Sequence, residues 1–140
     1  MFLLISILIT TQAHSEQSAE DIIKNRKALF SKNYNTAKKV QSLSSSGDFD
    51  AAKKLMLQMS ENYKNLLEMF PDNTKEGFKT EVTSLVWEEK DKFNSLMEKS
   101  SNDMVELVSI IENTDDIRGT LGKLMWSNCK ACHSKYRVEH

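Results

Sequence analysis

Proline occurs once and glycine four times in 140 residues. That leaves little vocabulary for turns and favours long helices. Cysteine occurs only twice and histidine only three times, so zinc sites of four Cys or His ligands have little to draw on. The net charge of −1 supplies no basic excess to neutralise phosphates, which argues against nucleic acid as a partner. No internal repeat and no low-complexity segment is evident. The longest apolar run, Phe2 to Ile9, is too short to span a bilayer, which takes about 20 residues. No membrane span is expected in the mature chain.

What is there centres on Cys129-Lys130-Ala131-Cys132-His133, seven residues from the C-terminal end. Cys-x-x-Cys-His is the attachment signature of a c-type haem. Each thiol adds to one haem vinyl group to give a thioether, and the histidine offers an imidazole nitrogen to the iron. On a helix, positions i, i+3 and i+4 share a face, so a flat porphyrin can meet Cys129, Cys132 and His133 together. Two plainer readings compete. A thioredoxin-type redox pair wants a βαβ setting, and no alternation of strand with helix occurs here. Half a zinc site wants further ligands, and the remaining histidines, His14 and His140, lie near the two ends. Covalent haem c with its iron is the expected cofactor.

Met1 to about Ser15 reads as a secretory signal peptide, an apolar run followed by small and polar residues. It lacks an early Lys or Arg and a clean Ala-x-Ala site. Residues 16–140 would then be one haem domain, exported to the periplasm of a Gram-negative bacterium, where this haem is attached.

Helical periodicity fills that domain. Ser18 and Asp21 open a first helix whose apolar series includes Ile22, Ile23, Leu29, Phe30, Tyr34, Ala37 and Val40. Arg26 falls within it. Residues 42–48 form a small polar break, and Asp48 can cap a second helix that carries Phe49, Ala52, Leu55, Met56, Met59, Tyr63, Leu66 and Leu67. Pro71 to Thr80 is the longest irregular connection, a length that often serves function. A third helix is expected from near Glu81 to about Asn113, with Ser100-Ser101-Asn102 as a place where it could kink. Trp87 reads as core filler beside its stripe. Thr114-Asp115-Asp116 caps a fourth helix that contains the attachment motif. Four amphipathic helices and no strand pattern imply an all-α, antiparallel up-and-down four-helix bundle with covalently bound haem.

These features resemble the class II c-type cytochromes, the cytochrome c′ family, over the whole mature length. The C-terminal motif followed by Ser134-Lys135-Tyr136-Arg137, the opening helix Ile23 to Phe30 with its arginine, and Glu81 to Trp87 carry the resemblance. It implies roles residue by residue. Cys129 and Cys132 would carry the thioethers, and His133 would be the proximal iron ligand. Arg26 would meet a haem propionate, a pairing that suits a guanidinium. Lys27 and Glu81 would line the haem edge, although the family often has Gln where Lys27 stands. Arg137 would tune the proximal side, and two copies would pair through the first two helices.

Phe30 decides the expected mechanism. It stands one turn after Arg26, and in the resembling family that position covers the open side of the iron. Low-spin relatives carry methionine there. Phenylalanine cannot ligate, and no methionine occurs between Ser18 and Leu55. Five-coordinate, high-spin iron follows, binding nitric oxide or carbon monoxide and able to pass single electrons to an unidentified redox partner. The alternative is a six-coordinate electron carrier using Met56, Met59, Met69 or Met97. No histidine is available as a distal acid or base, so enzymatic peroxide chemistry lacks its proton shuttle. No polar donor is evident beside Phe30.

Overall fold

The computed structural model describes residues 16–139. The expected signal peptide and His140 lie outside the described residues. Helix α1 (Ala19–Ser46) starts where the Ser18 hydroxyl accepts a hydrogen bond from the Asp21 amide, 3.2 Å. It ends at Gly47, whose φ of +84° is the left-handed conformation that lets the chain reverse. The Asp48 amide then reaches back to the Leu43 carbonyl, 2.9 Å, and Asp48 caps α2 (Phe49–Leu66) through the Ala51 amide. Two helices joined by so short a turn must pack antiparallel.

The buried positions of α1 are Ile23, Arg26, Asn33, Thr36, Ala37, Val40 and Ser44, with Phe30 half-buried between them. Spacings of three and four are the seam of a bundle helix. Tyr34, expected on this stripe, is instead 48% exposed; Asn33 has the inward position. Helix α2 buries Ala52, Met56, Met59, Tyr63 and Leu66 on the same rhythm.

The third expected helix is broken. Glu81 to Thr83 are not helical, with Val82 bridged antiparallel to Arg137; α3 (Leu85–Glu88) is one turn, and Glu89 (φ −119°, ψ 43°) separates it from α4 (Lys90–Ile110). The interruption falls here rather than at Ser100-Ser101-Asn102. Ser101 sits buried at the contact with α2, where its hydroxyl donates to the Ser60 carbonyl at 3.0 Å and pairs with the Ser60 hydroxyl at 2.8 Å. Small side chains bring the two helices close, and the hydroxyls find partners, so α4 runs on unkinked.

The fourth bundle helix is composite. Asp116 caps α5 (Ile117–Leu121) through the Gly119 amide, 2.8 Å. A π-helical turn, Gly122–Trp126, follows and leads into α6 (Ser127–Tyr136). Such turns concentrate at functional sites because they shift the helical phase by one residue. The end of α6 is stitched to the segment before α3. Thr83 donates to the Tyr136 carbonyl at 3.0 Å, Val138 to the Glu81 carbonyl at 2.8 Å, and the Thr83 hydroxyl to the Lys135 carbonyl at 3.0 Å. The two bonds from Thr83 use carbonyls that a helix C-terminus otherwise leaves unpaired.

Among the described residues no helix is long and apolar enough to cross a membrane. The core between α2, α4 and the last helix is dominated by Met56, Met59, Leu66, Met104, Leu107 and Met125, each fully buried. Truncating one leaves a void that close-packed neighbours fill only partly. Leu107→Ala is expected to cost about 3 kcal/mol. Urea unfolding of the haem-loaded protein would read this as a lower midpoint at unchanged slope.

Candidate functional site

One end of the bundle holds a cavity of about 610 Å³, within the range that takes a cofactor-sized ligand. Helix α6 supplies Asn128, Cys129, Cys132 and His133 to its lining; α1 supplies Arg26, Lys27, Phe30 and Asn33; Tyr63 comes from α2. Phe30, Phe70, Phe93 and Tyr136 all border it and pack edge to face in sequence, with centroids 6.4, 4.7 and 5.2 Å apart. A row of aromatic rings thus lines part of the cavity, beside aliphatic, polar and charged side chains.

Every site residue expected from the sequence borders this cavity. Cys129 and Cys132 are free thiols, half-buried, one helical turn apart. Burial pushes the Cys132 thiol up to about 12, with Cys129 adding to the effect and Arg137 opposing it. Burial raises Cys129 as well, against a hydrogen bond from Tyr63 that lowers it. Both are neutral S–H groups at physiological pH. His133 borders the cavity from a more exposed position. Burial first, then the charge of Arg137, hold its pKa below the ordinary value, so a neutral imidazole with a free lone pair is favoured. The motif's register is pinned by Asn128, whose Nδ2 donates to Asp103 at 2.8 Å and to the Leu124 carbonyl at 2.9 Å.

Arg26 is the largest fully buried side chain, at 1% exposure. Its guanidinium donates to the Met69 carbonyl (3.1 Å), the Thr74 hydroxyl (2.8 Å), the Thr74 carbonyl (3.0 Å) and the Thr80 hydroxyl (2.8 Å). It stacks 4.7 Å from the Phe70 ring. Burial lowers its pKa to about 10, which leaves it cationic at neutral pH. Nε is buried and has no hydrogen-bond partner. Lys27 donates to the Lys79 carbonyl, 2.9 Å, and Arg137 pairs with Glu81, 3.3 Å. Trp87 is more than core filler: its indole N–H holds the Phe70 carbonyl at 2.9 Å.

Sequence reasoning missed Asn33, Tyr63 and Phe70. Asn33 was findable, because it falls seven residues after Arg26 and three after Phe30, on the buried seam. Of the methionines weighed as ligands, Met97 borders the cavity. Met56 and Met59 are fully buried in the helix contacts and are not part of its lining.

The residues present fit the expected cofactor: two unpaired thiols and an imidazole on one helix, an apolar cavity of suitable size, and a buried cation with an unused donor. A helical bundle built around such a cavity is a c-type haem protein. The chain matches the family model described as Cytochrome C' over residues 21–137, and it belongs to that family. It is 27% identical over 122 residues to cytochrome c′ of Rhodopseudomonas palustris, covering 85% of this chain and 83% of that protein. A solved structure of cytochrome c′ from Rhodopseudomonas palustris superposes with a TM-score of 0.77 at 25% identity, over 88% of this chain and 98% of that one. Cytochrome c′ of Rubrivivax gelatinosus shares the fold, with a TM-score of 0.73 at 23% identity over 88% and 99% of the two chains. The cofactor is accordingly haem c, covalently held, with iron.

Arg26 joins three segments of the chain, so its loss should be felt beyond its own position. Arg26→Ala is expected to lower stability by about 3 kcal/mol and to speed amide exchange in residues 70–80. Arg26→Lys should not restore protection, since one ammonium cannot reproduce the forked geometry. Hydrogen exchange read by mass spectrometry checks both.

Proposed function

We propose that the protein is a periplasmic haem protein with five-coordinate, high-spin iron that binds nitric oxide and carbon monoxide. Cys129 and Cys132 carry the thioethers, and His133 is the axial ligand. Arg26 meets a propionate through its unused Nε–H, with Lys27, Glu81 and Arg137 along the haem edge. The haem supplies an iron able to take one diatomic ligand and to change oxidation state by one electron.

The observation that carries this reading is Phe30. It borders the cavity from α1, on the seam between Arg26 and Asn33, and it has no atom able to ligate. Its ring keeps water from that side and must move for a ligand to enter. Among the described residues His133 is the only histidine, so no second imidazole stands ready to shuttle protons, and the chain is not read as an enzyme. The Arg26–Phe70 stack and the Lys27–Lys79 contact keep α1 and the connecting loop fixed around the cavity.

A second reading is favoured by one residue. Met97 borders the cavity at 1% exposure, and a thioether on the iron would make a six-coordinate electron carrier. A homodimer through α1 and α2 belongs to the first reading as well; Leu57, 49% exposed on α2, is an apolar side chain there with no internal partner face. Export rests on the apolar N-terminal run.

Visible spectra of the reduced, haem-loaded protein discriminate. A broad α/β band and a Soret band that shifts on adding carbon monoxide are expected. Sharp separate bands without response would install Met97 and remove the gas-binding reading. Phe30→Met is expected to convert the spectrum to the low-spin form, and Met97→Leu to leave it unchanged.

A further inference from the structure

The cavity-facing side of α1 is not uniformly apolar. Arg26 stands four residues before Phe30 and Asn33 three residues after it. At about 1.5 Å rise per residue, a polar group therefore lies within about one turn of the phenyl ring on either side. Asn33 is 3% exposed and borders the cavity. Its Oδ1 accepts a hydrogen bond from Nδ2 of Asn62, 2.7 Å, itself a buried side chain. With the oxygen held, the amide nitrogen is turned away from Asn62, and Nδ2 is buried without a partner. The Tyr63 hydroxyl is near enough for this amide to act on it as a hydrogen-bonding neighbour and lower its pKa, against a net rise caused by burial, but the contact falls outside hydrogen-bond geometry and leaves Nδ2 without a partner.

A buried donor left unmade in a well-packed protein calls for a partner that the folded chain does not contain. Arg26 has the same property at Nε, and the two donors suit different partners. A cationic N–H favours a carboxylate. A neutral amide favours a neutral or weakly polarised acceptor.

We propose that Asn33 donates a hydrogen bond to a diatomic ligand on the iron, with Asn62 as the positioning residue that fixes the amide's orientation. The inference rests on the open sixth position argued above. It adds a selectivity that Phe30 alone does not provide. Ligands whose outer atom accepts a hydrogen bond, such as nitric oxide, are held longer than an apolar pocket would hold them.

Carbon monoxide on the reduced, haem-loaded protein is the probe, read by the infrared C–O stretch, with nitric oxide dissociation as the second readout. In Asn33→Leu the stretch should move to higher wavenumber and nitric oxide should leave about fivefold faster, the effect of one neutral hydrogen bond. Asn33→Asp keeps an acceptor for Asn62 and lacks the donor, so it should move the stretch the same way and decides the matter if the leucine variant does not fold. The wild-type band should shift in heavy water and the Asn33→Leu band should not. Unchanged stretches in both Asn33 variants would overturn the proposal, as would a shift confined to Tyr63→Phe, which would assign the donor to Tyr63. A wild-type protein that forms no carbon monoxide adduct would overturn this proposal together with the open-site reading. An adduct whose stretch ignores Asn33 would overturn this proposal alone.

Discussion

The structure depends on one buried cation. Arg26 projects from α1 into the space below the irregular connection between α2 and α4, and four of its five N–H groups are spent on that connection. The connection needs such an anchor. Gly77, Phe78 and Lys79 follow one another with φ of +85°, +50° and +57°, and the two non-glycine residues sit where a Cβ crowds the backbone. The Thr80 hydroxyl, just past them, accepts from Arg26, and the Lys79 carbonyl accepts from Lys27. Adjacent residues of α1 thus hold a strained turn in place. Phe70, carrying Arg26 on its ring, is fixed by the same arrangement and joins the aromatic row along the cavity.

Burying that cation is tolerable because its partners are carbonyl and hydroxyl oxygens at hydrogen-bond distance and two ring faces, 4.7 and 5.9 Å away. Ring faces carry negative potential, and oxygen acceptors replace lost water. No carboxylate is among these partners. A charge solvated by dipoles alone still attracts an anion, which is why the one unused N–H matters for the reading of the cofactor edge.

Much of this was legible in the chain. The attachment motif, the caps at Ser18, Asp48 and Asp116, and the inward rhythm of α2 and α4 all follow from residue chemistry and helical spacing. The site residues named from the motif and the family resemblance all border one cavity. What the sequence hid was tertiary in origin. Glu81 to Thr83 continue a helical pattern, yet their backbone groups find better partners at the end of α6, and the helix starts late. Ser100 and Ser101 look like a weak point, yet Ser101 finds a facing serine on α2 and the Ser100 hydroxyl donates to the Leu96 carbonyl one turn back. Asn33 was passed over, although its spacing from Arg26 and Phe30 marks it, because polar residues on a helix are normally read as outward-facing. It takes the inward position on the seam that Tyr34, 48% exposed, does not.

The stitching of residues 81–83 to residues 135–138 bears on what it costs to close the molecule. It joins segments more than fifty positions apart along the chain, whereas the α1–α2 hairpin closes over a two-residue turn. Closing the longer loop costs more chain entropy, so the stitch is the costlier of the two to close. Without its bonds, the helix that carries the two thiols keeps its start tied through Asn128 to Asp103 and Leu124, while its C-terminal end loses these partners. A protein that must receive a bulky planar group by covalent chemistry, and then shut it between helices, gains from closing the motif's end with a few bonds of high entropic cost rather than with a deep core contact.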